Sequence, residues 1–110
     1  LDFKKCELIE RQIKSKEKEL EITTFLLSSC KKLNKRIDLR NLTKLISDTK
    51  NIEHEIYLEL YILFDNKSYL KYAYKQIQEK VNAMDDDLGE KFLNYPIPKQ
   101  IIEEYNKVFN

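Results

Sequence analysis

Glycine occurs once in this chain of 110 residues, at Gly89, and proline twice, at Pro96 and Pro98. Tight β-turns need residues that tolerate positive φ, and a sandwich or barrel of this size would need several of them. Lys, Glu, Leu and Ile, which favour or tolerate helix, fill the chain instead. No alternation of period two survives over any stretch. The fold class read from these facts is all-α.

Apolar periodicity divides the chain into helices. Residues 2–13 set Phe3, Cys6, Ile9 and Ile13 on one stripe. Residues 14–19 are charged or polar throughout and read either as a bend or as a continuous exposed helix. Between Leu20 and Leu33 the apolar set (Leu20, Ile22, Phe25, Leu26, Leu27, Cys30, Leu33) is broader than one stripe, which predicts neighbours on two sides. Asp38 reads as the N-cap of a helix carrying Leu39, Leu42, Leu45 and Ile46, and Asn51 as the N-cap of the next, through Phe64. Residues 65–68 read as a turn before a helix with Leu70, Ala73, Ile77, Val81 and Met84 on one side. Asp85, Asp86 and Asp87 suit a helix start, where carboxylates complement the N-terminal dipole. The Tyr95-Pro96-Ile97-Pro98 run ends that helix, and Pro98 reads as the first residue of a last one. The expectation is about seven helices in antiparallel hairpins, forming one domain over 1–110. Within it, 1–35 is an N-terminal helix or hairpin, 36–84 holds two helical pairs in part, and 85–110 holds closing helices.

Charge and chemistry narrow the function. Twenty basic and nineteen acidic residues leave a net charge of +1, which argues against a nucleic-acid or membrane-surface binder. The local excess at Lys31, Lys32, Lys35 and Arg36 reads as a solvated helix face. Cys6 and Cys30 lack metal or redox spacing and read as reduced, buried thiols. His54 has no second ligand or nucleophile near it in sequence and reads as solvated. The cluster Asp85, Asp86, Asp87 and Glu90 lacks the alternating oxygens and central glycine of a calcium loop. A single glycine cannot build a phosphate loop, and Thr23, Thr24, Ser28 and Ser29 read as small mid-helix contact residues. The sequence therefore predicts no catalytic residue, no metal and no cofactor. A chain opening at Leu1, with no apolar run long enough for a signal peptide or membrane span, reads as a piece of a longer cytoplasmic (intracellular) protein.

Tyrosine is the functional lead. Five of seven tyrosines (Tyr57, Tyr61, Tyr69, Tyr72, Tyr74) fall within 18 residues, too wide a set for one core. A large ring with a polar tip suits an interface. Tyr57, Tyr61 and Tyr72, with Lys71 and Lys75, are the expected partner-binding face.

A shift of 31 residues superposes two helical hairpins: Ser29 and Leu33 fall on Leu60 and Phe64, and Leu39, Leu42 and Ile46 fall on Leu70, Ala73 and Ile77. A shift of 33 carries Cys6, Ile9 and Ile13 onto Leu39, Leu42 and Ile46. The stretch from Leu60 to Ile77 resembles one tetratricopeptide repeat. Leu60 and Phe64 match the apolar and aromatic places of its first helix, Ala73 the small contact position and Ile77 the large one after it. Residues Phe92 to Tyr105 are similar to the terminal helices that close such arrays, and Tyr61 departs from the pattern, standing where the family prefers a small residue. The resemblance covers Ser29 to Tyr105. It implies a short right-handed solenoid of stacked hairpins that holds a protein or peptide partner, as a scaffold or as the sensor region of a peptide-responsive regulator. The competing reading is a structural bundle that forms a homodimer through long N-terminal helices, although Phe3, Cys6, Ile9, Ile13 and Leu20 do not sustain a heptad.

Overall fold

The computed structural model describes residues 3–110, with side chains from Lys4 onward. Asp2, and the side chain of Phe3 expected to head the first stripe, lie outside the described residues. These residues form six α-helices and no strand: α1 (Phe3–Lys32), α2 (Arg40–Asp48), α3 (His54–Phe64), α4 (Lys67–Asn82), α5 (Asp86–Leu93) and α6 (Pro96–Phe109). The chain divides after Ile52 into two compact units, the first holding α1 and α2 and the second α3 to α6.

Six helices stand where about seven were expected because residues 14–19 do not bend. The i,i+3 pairs Lys16–Glu19 (4.0 Å) and Lys18–Glu21 (3.6 Å) run along an unbroken helix there. At 1.5 Å per residue, α1 is about 45 Å long. Cys6 and Cys30 are half-buried free thiols, 24 positions apart on this rod and far beyond the reach of a disulfide.

On α1 the buried positions are Leu20, Thr24 and Ser28, one line at a spacing of four. Two of the three are small polar residues. The broad apolar set expected there does not all turn inward: Ile22 (58% exposed), Leu26 (62%) and Leu33 (67%) face water. Within its unit α1 packs on the nine-residue α2, which offers Leu42 and Leu45 and covers one side of a 30-residue helix.

α1 ends in a Schellman motif. Asn34 adopts a left-handed conformation (φ 59°), Lys35 N–H donates to the Cys30 carbonyl (3.0 Å) and Asn34 N–H to that of Lys31 (3.0 Å). Lys31 and Lys32 lie in the last turn, where cations complement the dipole. Asp38 acts one residue earlier than a cap would: its carboxylate accepts Arg40 N–H (3.0 Å), while Leu39 is the N-cap. Asn51 is not an N-cap, because α3 starts after Glu53. The Asn51 amide instead donates to Glu17 (3.3 Å).

In the second unit α4 is the hub, packing on α3, α5 and α6. Leu70, Ala73 and Ile77 form its inner line and are sealed from water with Leu58 of α3 and Ile101 of α6. Asp65, in the left-handed region (φ 52°), closes α3, and one residue later Asn66 caps α4 by accepting Ser68 N–H (2.9 Å). Asp85 caps α5 by accepting Leu88 N–H (2.8 Å). The last helix opens at Pro96, not Pro98, after extended Tyr95. Both prolines occupy its first turn, where a backbone N–H has no intrahelical partner. Among the described residues no helix is long and apolar enough to cross a membrane.

Gly89 is buried within α5, where a Cβ would lie 3.4 Å from Val81 Cγ1 of α4. That distance is an ordinary contact, so a methyl group fits. Gly89→Ala should therefore raise stability by about 0.5–1 kcal/mol through helix propensity, and Gly89→Leu should lower it, both read from thermal melts followed by circular dichroism. Asn34→Ile should cost about 1–2 kcal/mol, since a β-branched residue resists the left-handed turn, whereas Asn34→Gly should not destabilise.

Candidate functional site

Aromatic side chains divide between two sides of α4. On one side Tyr57 of α3 meets Tyr72 of α4 (ring centroids 5.4 Å apart) and Tyr69 (6.3 Å). Tyr69 in turn meets Tyr72 edge-on (6.4 Å) and Phe64 (5.7 Å). Four rings thus form one cluster along the α3–α4 hairpin, assembled because Asp65 and Asn66 reverse the chain between Phe64 and Tyr69. Tyr72 is 50% exposed, while Tyr57, Phe64 and Tyr69 are half-buried. Burial raises the pKa of Tyr57 and of Tyr69, and the neighbouring hydroxyls add to it. The phenols therefore stay protonated at neutral pH, able to donate as well as accept.

On the other side Tyr74 stacks on Tyr105 of α6 (3.7 Å, 6° between planes), and Tyr105 packs on Phe109 (4.8 Å). Lys71 Nζ lies 5.0 Å from the centre of the Phe109 ring, a cation–π contact that ties α4 to α6.

The expected partner face is thereby split. Tyr57 and Tyr72 come together. Tyr61 stands apart from them: burial raises its pKa, with Glu104 of α6 and Asp65 as the acidic neighbours. Lys71 belongs to the α6 side, and Lys75 is exposed, three residues beyond Tyr72 on adjoining helix surface. Phe64 and Tyr69 were not among the expected face residues. Their signal was present in the turn between them, since a two-residue reversal brings the ends of both helices together.

His54 is not the solvated histidine that the sequence suggested. Its side chain is 15% exposed and meets Phe92 of α5 edge-on (6.0 Å). Lys80 of α4 contacts both His54 Nδ1 (2.8 Å) and Glu53 Oε2 (2.6 Å). Burial, then the Lys80 charge, lowers the pKa of His54, with Glu53 opposing. The hydrogen bond from Lys80 lowers that of Glu53.

An open cleft of about 440 Å³ in the first unit is lined by Ile9, Gln12, Ile13, Ser15, Lys16, Asp48 and Lys50. Its charged groups are two ammoniums and one carboxylate. Among the described residues no three His, Cys, Asp or Glu side chains are grouped to hold a metal ion. Compared with known proteins, the chain matches no family model, no curated protein and no solved structure.

A double-mutant cycle should measure the ring contact itself. Tyr57→Leu and Tyr72→Ala, singly and combined, should show a coupling of about 0.5–1.5 kcal/mol in chemical denaturation. Additive effects would mean that the two rings are neighbours without mutual stabilisation.

Proposed function

We propose that the chain is a non-enzymatic scaffold of helical-repeat type that binds a protein or peptide through the Tyr57, Phe64, Tyr69 and Tyr72 face of the α3–α4 hairpin, with Lys75 beside it. The observation that carries this reading is the ring cluster itself, four aromatics of which one is half open to water. Preassembled rings lose little conformational freedom on binding, and aromatic residues concentrate at the centres of interfaces. A tetratricopeptide-like solenoid is part of the proposal. It is supported by Asn34 and Asp65, the two positive-φ residues among the described residues, which stand 31 positions apart at the same place in the two superposed hairpins. Leu42 and Ala73, equivalent under that shift, are both sealed from water. A cytoplasmic setting suits the two free thiols.

The test is selection of displayed peptides on the full chain, followed by nuclear magnetic resonance of the tyrosine rings. Selected peptides should shift the ring signals of Tyr57, Tyr69 and Tyr72. Tyr72→Ala should weaken binding about tenfold, about 1.4 kcal/mol, at a temperature where circular dichroism shows the variant still folded, and Lys71→Ala should leave affinity unchanged. Shifts confined to other residues, or full affinity in Tyr72→Ala, would remove the face from consideration.

Self-association is the second reading, favoured by exposed Ile22 and Leu26 on α1 and Leu33 just past its end. Light scattering distinguishes the two: a molar mass that stays monomeric as concentration rises excludes the dimer.

A further inference from the structure

Lysine has three donors and no acceptor, so the 2.8 Å contact between Lys80 Nζ and His54 Nδ1 requires that nitrogen to be unprotonated. The ring proton of neutral His54 then sits on Nε2. Three elements meet at this point: Glu53 and His54 open α3, Lys80 lies in the last turn of α4, and Phe92 of α5 rests on the imidazole. Two charged groups act on the ring, Lys80 from α4 and Glu53 from its own segment. From α5 the ring meets the uncharged Phe92.

We propose that this knot is an acid-released clasp, in which a proton taken up by His54 Nδ1 expels the Lys80 ammonium and loosens α5 from the α3–α4 hairpin. The step is a simple proton addition from solvent. It converts an acceptor into a donor, so two donors and two positive charges face each other at hydrogen-bonding distance. The N-terminal dipole of α3 adds to the penalty, because a cation is disfavoured at a helix start. Glu53, 4.0 Å from Nδ1, attracts the new imidazolium, and its carboxylate is already held by Lys80 at 2.6 Å. The surviving arrangement is an ion pair re-formed on the Glu53 side, with the imidazole withdrawn from its place under Phe92.

The direction with pH follows from linkage. His54 takes its proton at a lower pH when folded than when unfolded, so below about pH 6.5 the unfolded chain binds more protons and stability falls. The fall ends once pH drops beneath the folded midpoint. Glu53 acts in the same direction further down, as its depressed carboxylate begins to protonate.

His54 is the sole histidine, so its ring carbon resonance reports one titration without ambiguity. In the full chain that titration should have a midpoint below about 6.5, and Lys80→Met should move it upward. Glu53→Gln should move it further down. Hydrogen exchange of the Phe92 and Leu93 amides, corrected for intrinsic rate, should quicken severalfold as His54 titrates. His54→Gln, whose amide oxygen accepts from Lys80 at every pH, should hold that exchange slow throughout. A midpoint that Lys80→Met leaves in place, or α5 amides indifferent to His54 titration, would overturn the clasp.

Discussion

The second unit depends on one seam, the line Leu70, Ala73 and Ile77 on α4, which α3 and α6 seal from water. Ala73 lets backbones come close, and the larger residues on either side fill the space that this approach creates. Because α4 is enclosed by α3, α5 and α6, its remaining surface is narrow, and the residues on it are sorted sharply. Tyr72 is exposed beside Tyr57, and Lys75 is exposed three residues on, whereas Tyr74 stacks on Tyr105 and Lys71 reaches the Phe109 ring of α6. The same helix thus holds a unit together on one side and presents a polar aromatic surface on the other. That division makes the binding proposal a statement about α4 rather than about tyrosine content.

Helical class and most helix positions were legible in the sequence because one glycine and two prolines leave few ways to end a helix except polar caps. Asp85 stands at a helix start as expected, Asp38 acts within a residue of its expected place, and the turn expected over 65–68 shortens to Asp65 and Asn66 because Asn66 caps α4. What periodicity could not resolve was the N-terminal rod. Residues 14–19 carry no apolar signal, and the decision between bend and helix rests on side-chain pairs such as Lys18–Glu21 that add only tenths of a kcal/mol each, roughly 0.2–0.5. The inward face of α1 was legible in part: Thr24 and Ser28, read as small contact residues, are buried, while Ile22 and Leu26 of the broad apolar set are exposed.

The candidate site was half legible. Clustering of tyrosines pointed to α3 and α4, yet the choice among them depends on which helix surface α6 covers, a long-range fact that local spacing does not hold. The nearness of Tyr61 to Glu104 and of Lys71 to the Phe109 ring is a fact of that kind. His54 was misread because its partners, Lys80 and Phe92, lie 26 and 38 positions away, beyond any motif.

The stacked pair Tyr74 and Tyr105, 3.7 Å apart and nearly parallel, sets a condition on how this chain can diverge. Two flat rings at that spacing leave no gap between them. A bulkier or branched residue at either position forces α4 and α6 apart, and a smaller one leaves a gap that the other ring cannot fill alone. Substitution at one position therefore changes what natural selection tolerates at the other. Among descendants of this sequence, positions 74 and 105 should drift as a couple, leaving an evolutionary record of α6 docking even where the rest of both helices has been rewritten.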